Sequence, residues 1–599
     1  MSPRDELTLF QPDGRGERNG ERAGERRSEP GLSSDHTQRI VTALLRQGLM
    51  TAGAHMRLTS KLQSTVLRRR LAGSAQHHRI VTVAAAGAQG AARAALNEPT
   101  SLAAAASIQS MVQDEIRAPW ARLAAETLPF EDSARAPLAD WQLFLNFTLL
   151  SALAGGLVFA PVVLLSVTIV AVTSLIAVTA ALRIAVLWKA LQRRRRTETP
   201  LLNNALAERP PPAMTLLIPL YRETEVLKGL LAALEALDYP RSRVEALLLV
   251  EEDDHDMQAA LRRLRFAGWI KTIVVPDGAP RTKPRALNAA LPLASGDIIG
   301  IYDAEDRPAR DQLRKVADAF DRSGDETACL QCRLMWRNAR ENFLSRCFSI
   351  EYAIWFDFML AGLRDIRLPL PLGGASVFFR ADVLREVGGW DAHNVTEDAD
   401  LGIRLARRGY RTDLVDSTTL EEAVTKPWPW IRQRSRWIKG YMQTWMTHMR
   451  APLRCWRDLG TRGFLGLQVL FPFSILSFLA QPLFFFLIGW WIATGELLWL
   501  EQTPLWMIAP IAATLTIGQI AILATAVIAL RRRGLRWLAP WVLAMPFYWP
   551  LGAIAAYKAL WELMVRPFYW DKTEHGVTHF EDASPGRPPP DRADPATLH

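Results

Sequence analysis

IIGIYDAEDRP, Ile298–Pro308, is the stretch on which the fold turns: a short apolar run that ends on Asp303, Glu305 and Asp306. A buried strand finishes on three carboxylates only where a cation or a solvated turn receives them, because an unpaired buried charge is costly. Oxygen donors in this number suit a hard divalent ion such as Mg²⁺ or Mn²⁺. Working upstream, TLLIPLY (Thr215–Tyr221), VEALLLVEEDD (Val244–Asp254) and KTIVVPD (Lys271–Asp277) are further β-rich runs. Helical segments such as Glu225–Leu237 and Arg310–Phe320 separate them. Alternation of this kind predicts a mostly parallel sheet with ligands at the carboxyl ends of its strands, and the acids sit at those ends.

Asp253 and Asp254 close the second run, where a carboxylate can accept hydrogen bonds from a base or ribose; a solvated loop acid is the plain alternative. Lys283, in TKPRALN, offers positive charge to a diphosphate, which carboxylates would repel unless a cation bridged the two. Downstream, in GGASVFFRADVLREVGGWDAHNVTEDADLGIRLARRG, Thr396, Glu397 and Asp398 open a helix behind a Gly-rich turn. Helix capping alone would account for those three. The ordered series is harder to explain that way: a strand-end acid, an acid cluster, TED, and then QRSRW at Gln433, Arg434, Ser435, Arg436 and Trp437.

The 599 residues leave room for roughly two to four domains. A hydrophobic share of 49% with 21 Trp points to a membrane component. The net charge of +10 reads as membrane topology: Arg193–Arg196 follow one apolar run and Arg531–Arg533 lie between two others. No basic stripe with interleaved aromatics appears elsewhere, which argues against nucleic acid as a partner. Cys329 and Cys332 form a lone C-x-x-C, too little for a zinc site or a disulfide framework. The polar first 35 residues lack the apolar core of a signal peptide.

The expected layout is a disordered stretch at 1–36 and a small helical region at 37–140 that includes LLRQGLMT (Leu44–Thr51). A two-helix membrane hairpin follows at 141–192, the α/β domain with its QRSRW helix at 205–455, two or three membrane helices at 463–565, and a tail at 566–599. The loop Glu496–Glu501 should face out and Arg531–Arg536 in. Pro540, Pro546 and Pro550 leave two outcomes for the last apolar segment: a kinked span with the C-terminus outside, or an interfacial hairpin that keeps it inside.

With these motifs in order, the chain resembles glycosyltransferase family 2, in the membrane-bound branch that contains cellulose, curdlan and related polysaccharide synthases. The likeness runs over about Met214–Leu453 and includes IPLYRE (Ile218–Glu223), with Arg222 where the family usually has Asn. It implies a Rossmann-like α/β GT-A domain in the cytoplasm joined to an α-helical transmembrane domain, in a bacterial inner membrane. It further implies that Asp253 contacts base or ribose, Lys283 the phosphates, and Asp303 with the next acid the nucleotide sugar and its Mg²⁺ or Mn²⁺. Asp398 would be the general base and Glu397 an acceptor contact. Gln433 and Arg436 would bind acceptor or diphosphate, and Trp437 would stack on the acceptor sugar. The family's D-x-D is here Asp303, Ala304, Glu305, Asp306, so either Glu305 or Asp306 supplies the second ligand. An interfacial aromatic belt of Trp428, Trp430, Trp437 and Trp445 is the alternative for the tryptophans.

The implied activity is inverting transfer from a UDP-sugar to a growing β-linked polysaccharide coupled to translocation, with accessory export proteins as further partners. A glycolipid-forming transferase on the same fold is the alternative, and an inactive assembly or receptor protein a second. FYWDKTEHG (Phe568–Gly576) is similar to a nucleotide-gating loop of cellulose synthases, which supports processivity only if the tail is cytoplasmic.

Overall fold

The computed structural model describes residues 124–192, 210–496 and 505–570. The stretch 1–36, LLRQGLMT, the region 37–140 up to residue 123, Arg193–Arg196, the loop residues 497–501 and the tail from 571 lie outside the described residues.

In chain order, helices α1 (Asp140–Phe159) and α2 (Pro161–Gln192) precede strand β1 (Met214–Leu220). Then come β2 (Val244–Glu251), β3 (Ile270–Val275), α3 (Lys283–Ala290), β4 (Ile298–Ile301), β5 (Arg307–Pro308), β6 (Thr327–Trp336) and β7 (Val377–Arg380). Helix α4 (Glu397–Arg407), β8 (Arg411–Glu421), α5 (Pro427–His448), α6 (Ser474–Thr494), α7 (Leu505–Arg532) and α8 (Met545–Val565) follow.

The eight strands form one sheet in the order β3-β2-β1-β4-β7-β6-β8-β5. Strands β1 to β4 are mutually parallel, β7 runs against both β4 and β6, and β8 is parallel to β6. Only β7 and the short β5 run against the others, which leaves β1, β2, β4, β6 and β8 pointing the same way with their carboxyl ends on one edge. β2 is buried throughout because helices cover both faces, which is why it reads as a continuous apolar run rather than an alternating one. The order doubles back between β1 and β4, and the crevice at such a switch point is where α/β sheets bind ligands. The Rossmann-like α/β architecture and the accompanying long apolar helices are those the sequence leads one to expect.

Five segments among the described residues are long and apolar enough to cross a membrane. Their ends show which of them do. α1 starts against the α/β domain, with Trp141 Nε1 donating to the Arg450 carbonyl at 3.1 Å and Gln142 Nε2 to that of Met446 at 3.0 Å. α2 returns to it, burying Val186 completely beside Phe348 and Trp430. α6 leaves from the same cluster at Ile475, and past the end of α7 Arg533 bonds the Leu334 carbonyl at 3.1 Å and pairs with Asp357 at 3.1 Å. Two hairpins therefore begin and end on one side.

α8 behaves differently. Near its start Tyr548 donates to Glu351 at 2.7 Å and meets Trp430 edge to face with ring centroids 5.0 Å apart. At its end, Lys439 Nζ lies 3.4 Å from Glu562 and donates to the Tyr569 carbonyl at 2.8 Å. Trp430 and Lys439 are both on α5, so α8 is held to α5 near both of its ends. Of the two outcomes left open by its prolines, these contacts favour the interfacial one, with residues 566–570 on the side of the α/β domain. A reporter fused to the C-terminus should therefore read on the same side as one inserted in the exposed loop Ser323–Glu326, and opposite to one at Gly495. A C-terminal reading on the Gly495 side would show that α8 crosses.

Candidate functional site

β4 delivers Asp303 to the edge of the sheet, and the first residue of α3 delivers Lys283 to meet it. Lys283 Nζ bonds the Asp303 carboxylate and donates to the Gly374 carbonyl at 3.0 Å. Burial works against the ammonium, but Asp303 and Glu397 outweigh it and hold the pKa above the usual lysine value. The residues around this one cation are acids. Burial, reinforced by Asp303, pushes Glu305 up to about 7. Burial with Asp303 and Glu305 raises Asp306 well above the carboxylate range, and burial with Asp306 and Glu305 does the same to Glu421, at the end of β8.

Glu305 and Asp306 take different positions. Asp306 is fully buried: one carboxylate oxygen accepts the Asp303 N–H at 3.0 Å and the other has no hydrogen-bond partner. Glu305 lines a cavity of about 1100 Å³, together with Lys283, Asp303, Glu397, Asp398 and Glu421; Asp306 does not. Asp306 therefore braces the turn, while Glu305 faces the space where a ligand would lie.

The TED segment arrives from the opposite side. Thr396 occupies the N-cap position of α4 yet makes no capping bond with its side chain, so capping does not explain the motif. Burial and Asp398 push Glu397 up to about 8. Burial pushes Asp398 up to about 6 against the lowering effect of the Ala399 N–H and Lys283. Two residues on, Asp400 goes the other way: burial is outweighed by Arg404 and His448, which bring it down to about 2. Asp398 lies against backbone, since a Cβ on Gly374 would stand 2.8 Å from its Oδ2, and Gly374 has φ of +79°.

α5 holds the QRSRW motif and is tied to the TED loop by several short contacts. A Cβ on Gly440 would fall 2.2 Å from Thr396 Oγ1, Asn394 donates to Thr444 at 2.9 Å, and Gln443 accepts the Val395 N–H at 3.1 Å. Gln433 and Trp437 both line the cavity, and the side-chain oxygen of Gln433 is buried without a hydrogen-bond partner. Arg434 is used internally, forked onto Glu351 at 2.9 and 2.6 Å and stacked on Trp430 and Trp437. Arg436 lines the cavity with its guanidinium 4.5 Å from the Trp570 ring. Trp430 is 2% exposed and belongs to the core, not to an interfacial belt. Asp253 sits on the rim at the end of β2, paired with Arg281 at 2.9 Å; Arg281 lines the cavity and Asp253 does not. Sequence reasoning missed Glu421, Glu351 and Gly374, and singled out Trp570 only as part of FYWDKTEHG. Of the three missed, Glu421 alone carried a readable signal, since β8, like β2 and β4, ends on acids.

No three His, Cys, Asp or Glu side chains among the described residues form a self-sufficient metal cage. A cation held by one or two carboxylates and completed by phosphate oxygens needs no such cage, and that is the usual Mg²⁺ arrangement. Asp303 and Glu305, facing the cavity among buried acids that Lys283 alone does not neutralise, fit that arrangement.

Residues 298–557 match the family described as Glycosyl transferase family group 2. A beta-monoglucosyldiacylglycerol synthase of Synechocystis sp. is 29% identical over 295 residues, covering 47% of this chain and 60% of the relative. The probable glycosyltransferase YdaM of Bacillus subtilis is 27% identical over 235 residues, 38% of this chain and 55% of the relative. The chain thus spans little more than half the length of these curated relatives. Among solved structures, the mannosyltransferase PcManGT of Pyrobaculum calidifontis, in complex with GDP-Man and Mn²⁺, aligns at a TM-score of 0.39 and 20% identity, covering 65% of this chain and 99% of that one.

Replacing Gly374 by Ala should cost about 1–2 kcal/mol through its left-handed backbone and should also displace Asp398. A thermal melt shifted down modestly, together with a larger loss of turnover than of donor affinity, is the expected pair of readings.

Proposed function

We propose that this chain transfers a glycosyl group from a nucleotide sugar, with a UDP-sugar as the first to test, to the hydroxyl of a lipid acceptor at the membrane face, inverting the anomeric carbon. The observation that carries the reading is one cavity in which a base, a cation-ready acid pair and an aromatic platform meet beside the apolar helices. In this reading residues 205–455 are the catalytic unit, and 141–192 and 463–565 anchor it on the cytoplasmic side of a bacterial inner membrane.

Asp398 takes the proton from the acceptor oxygen as that oxygen attacks the anomeric carbon, and the nucleoside diphosphate departs from the opposite face. Lys283, held charged by Asp303 and Glu397, receives the developing diphosphate charge. A Mg²⁺ or Mn²⁺ ion held by Asp303 and Glu305 would supply further neutralisation of that charge. Trp437 stacks on a sugar, the partnerless oxygen of Gln433 accepts a hydroxyl, Glu397 contacts the acceptor, and Arg436 faces the diphosphate. Asp253, with Arg281, takes the base or ribose at the rim.

The lipid acceptor is favoured over a growing glycan because the matched relatives include synthases named for a glucosylated diacylglycerol. The pairing of Trp437 with Gln433, and of Trp570 with Arg436, favours the second reading, a processive β-glycan synthase working with export partners.

Membranes supplied with nucleotide sugars and divalent cation should form a β-linked single-sugar lipid. A polymer without that product would move the assignment to the second reading. Asp398→Asn should lower turnover by roughly 10²–10⁴-fold with nucleotide binding retained; unchanged turnover would remove the enzymatic reading. Because Asp398 is active only when deprotonated and its carboxyl is raised to about 6, the rate should fall as pH drops through about 6. An ordinary aspartate would sustain the rate to about pH 4.

A further inference from the structure

The cavity does not stop at the sheet edge. It continues past Trp437 and Trp549 into the apolar helices, where Ile176 on α2, Phe478 and Phe485 on α6, and Leu515 and Ile522 on α7 line it. Its walls are uneven. α2 and α7 pack closely, with a Cβ on Gly518 falling 3.7 Å from Ile176 and 3.8 Å from Ala180. α6 packs along α2 and α8 rather than against α7, its neighbour in the chain. The result is a slot with three sides, open between α6 and α7, where the lining residues Phe485 and Ile488 are about half exposed.

We propose that this slot is an acyl-chain site, by which a membrane lipid enters sideways between α6 and α7 and is drawn down until its hydroxyl reaches Asp398. The proposal rests on the glycosyl-transfer reading of the acid site and names where its acceptor is held. Three observations carry it. The slot is continuous with the catalytic cavity, so whatever fills it is presented to Asp398. From Ile475 to Ile488 it extends about 20 Å at 1.5 Å per residue, the reach of a long extended acyl chain. The open side also selects the occupant. A glycan would leave hydroxyls facing hydrocarbon, each costly to bury unpaired, whereas an acyl chain loses nothing there. Thr179, Ser474, Ser477, Gln481 and Gln519 are the polar exceptions in this part of the lining, and the side-chain oxygen of Gln481 is buried without a hydrogen-bond partner.

The test uses the full chain in lipid vesicles containing a diacylglycerol with a photoactivatable group at the end of one acyl chain. Labelling needs no turnover, so it is run in both the native protein and Asp398→Asn. The expected result in both is label on peptides of α6 and α7 that line the slot, competed by excess dioleoylglycerol but not by dibutyrylglycerol. Ile522→Trp, which fills the slot, should reduce that label roughly fivefold, and Phe147→Trp, on the outward face of α1, should leave it unchanged. Gln481→Leu should keep the label, since it removes only a polar oxygen; its loss would mean that a hydroxylated chain is the occupant and would overturn the proposal. Uncompeted label spread over the outward face of α1 would overturn it equally. Competed slot label in a protein whose only product is polymer would leave the site standing and remove the single-addition reading.

Discussion

Lys283 sits with its ammonium between the Asp303 carboxylate and the Gly374 carbonyl, and the rest of the catalytic edge is arranged around that contact. This one ammonium joins the end of β4, the start of α3 and the Gly-rich turn ahead of the TED loop. Glu305, Glu397, Asp398 and Glu421 crowd the same cavity, each with its carboxyl raised first by burial. Such a cluster is poorly neutralised by a single lysine. An edge built this way favours added positive charge, which is the property a site for a cation and a diphosphate requires.

A second constraint ties this edge to the membrane. α5 carries the cavity-facing Gln433 and Trp437 on the helix that also bonds the TED loop through Gln443 and Thr444. Its Arg434 is locked onto Glu351, which in turn accepts from Tyr548 of α8. Asp398, Trp437 and α8 are therefore parts of one packed unit, and the apolar slot opens directly from it. Under the proposed reading, an acceptor drawn from the bilayer would meet Asp398 without first passing through water.

Much of this was legible in the sequence because acids at strand ends are conspicuous. Lys283, Asp303, Glu305, Glu397, Asp398, Gln433, Arg436 and Trp437 all came from motif order, and all line one cavity. What stayed hidden depends on three-dimensional direction. Glu305 and Asp306 are adjacent acids of equal promise on paper, and only the backbone turn, with the Asp303 N–H taken by Asp306, sends one inward and the other to the cavity. Gly374 and Glu351 lie in segments with no periodic pattern, and their value comes from what they touch. The course of α8 was undecidable from hydropathy, since about 20 apolar residues suit a span or an interfacial helix equally. Its contacts with α5 favour the interfacial course.

The central claim is that the acids at the carboxyl edge of β4 hold a nucleoside diphosphate through a divalent cation. Calorimetric titration of UDP into the purified protein, with Mn²⁺ and then with chelator, tests it most directly when repeated on Asp303→Asn. The account predicts binding that appears with Mn²⁺, disappears with chelator and is abolished in Asp303→Asn. Equal binding of UDP in chelator, or in the variant, would contradict it.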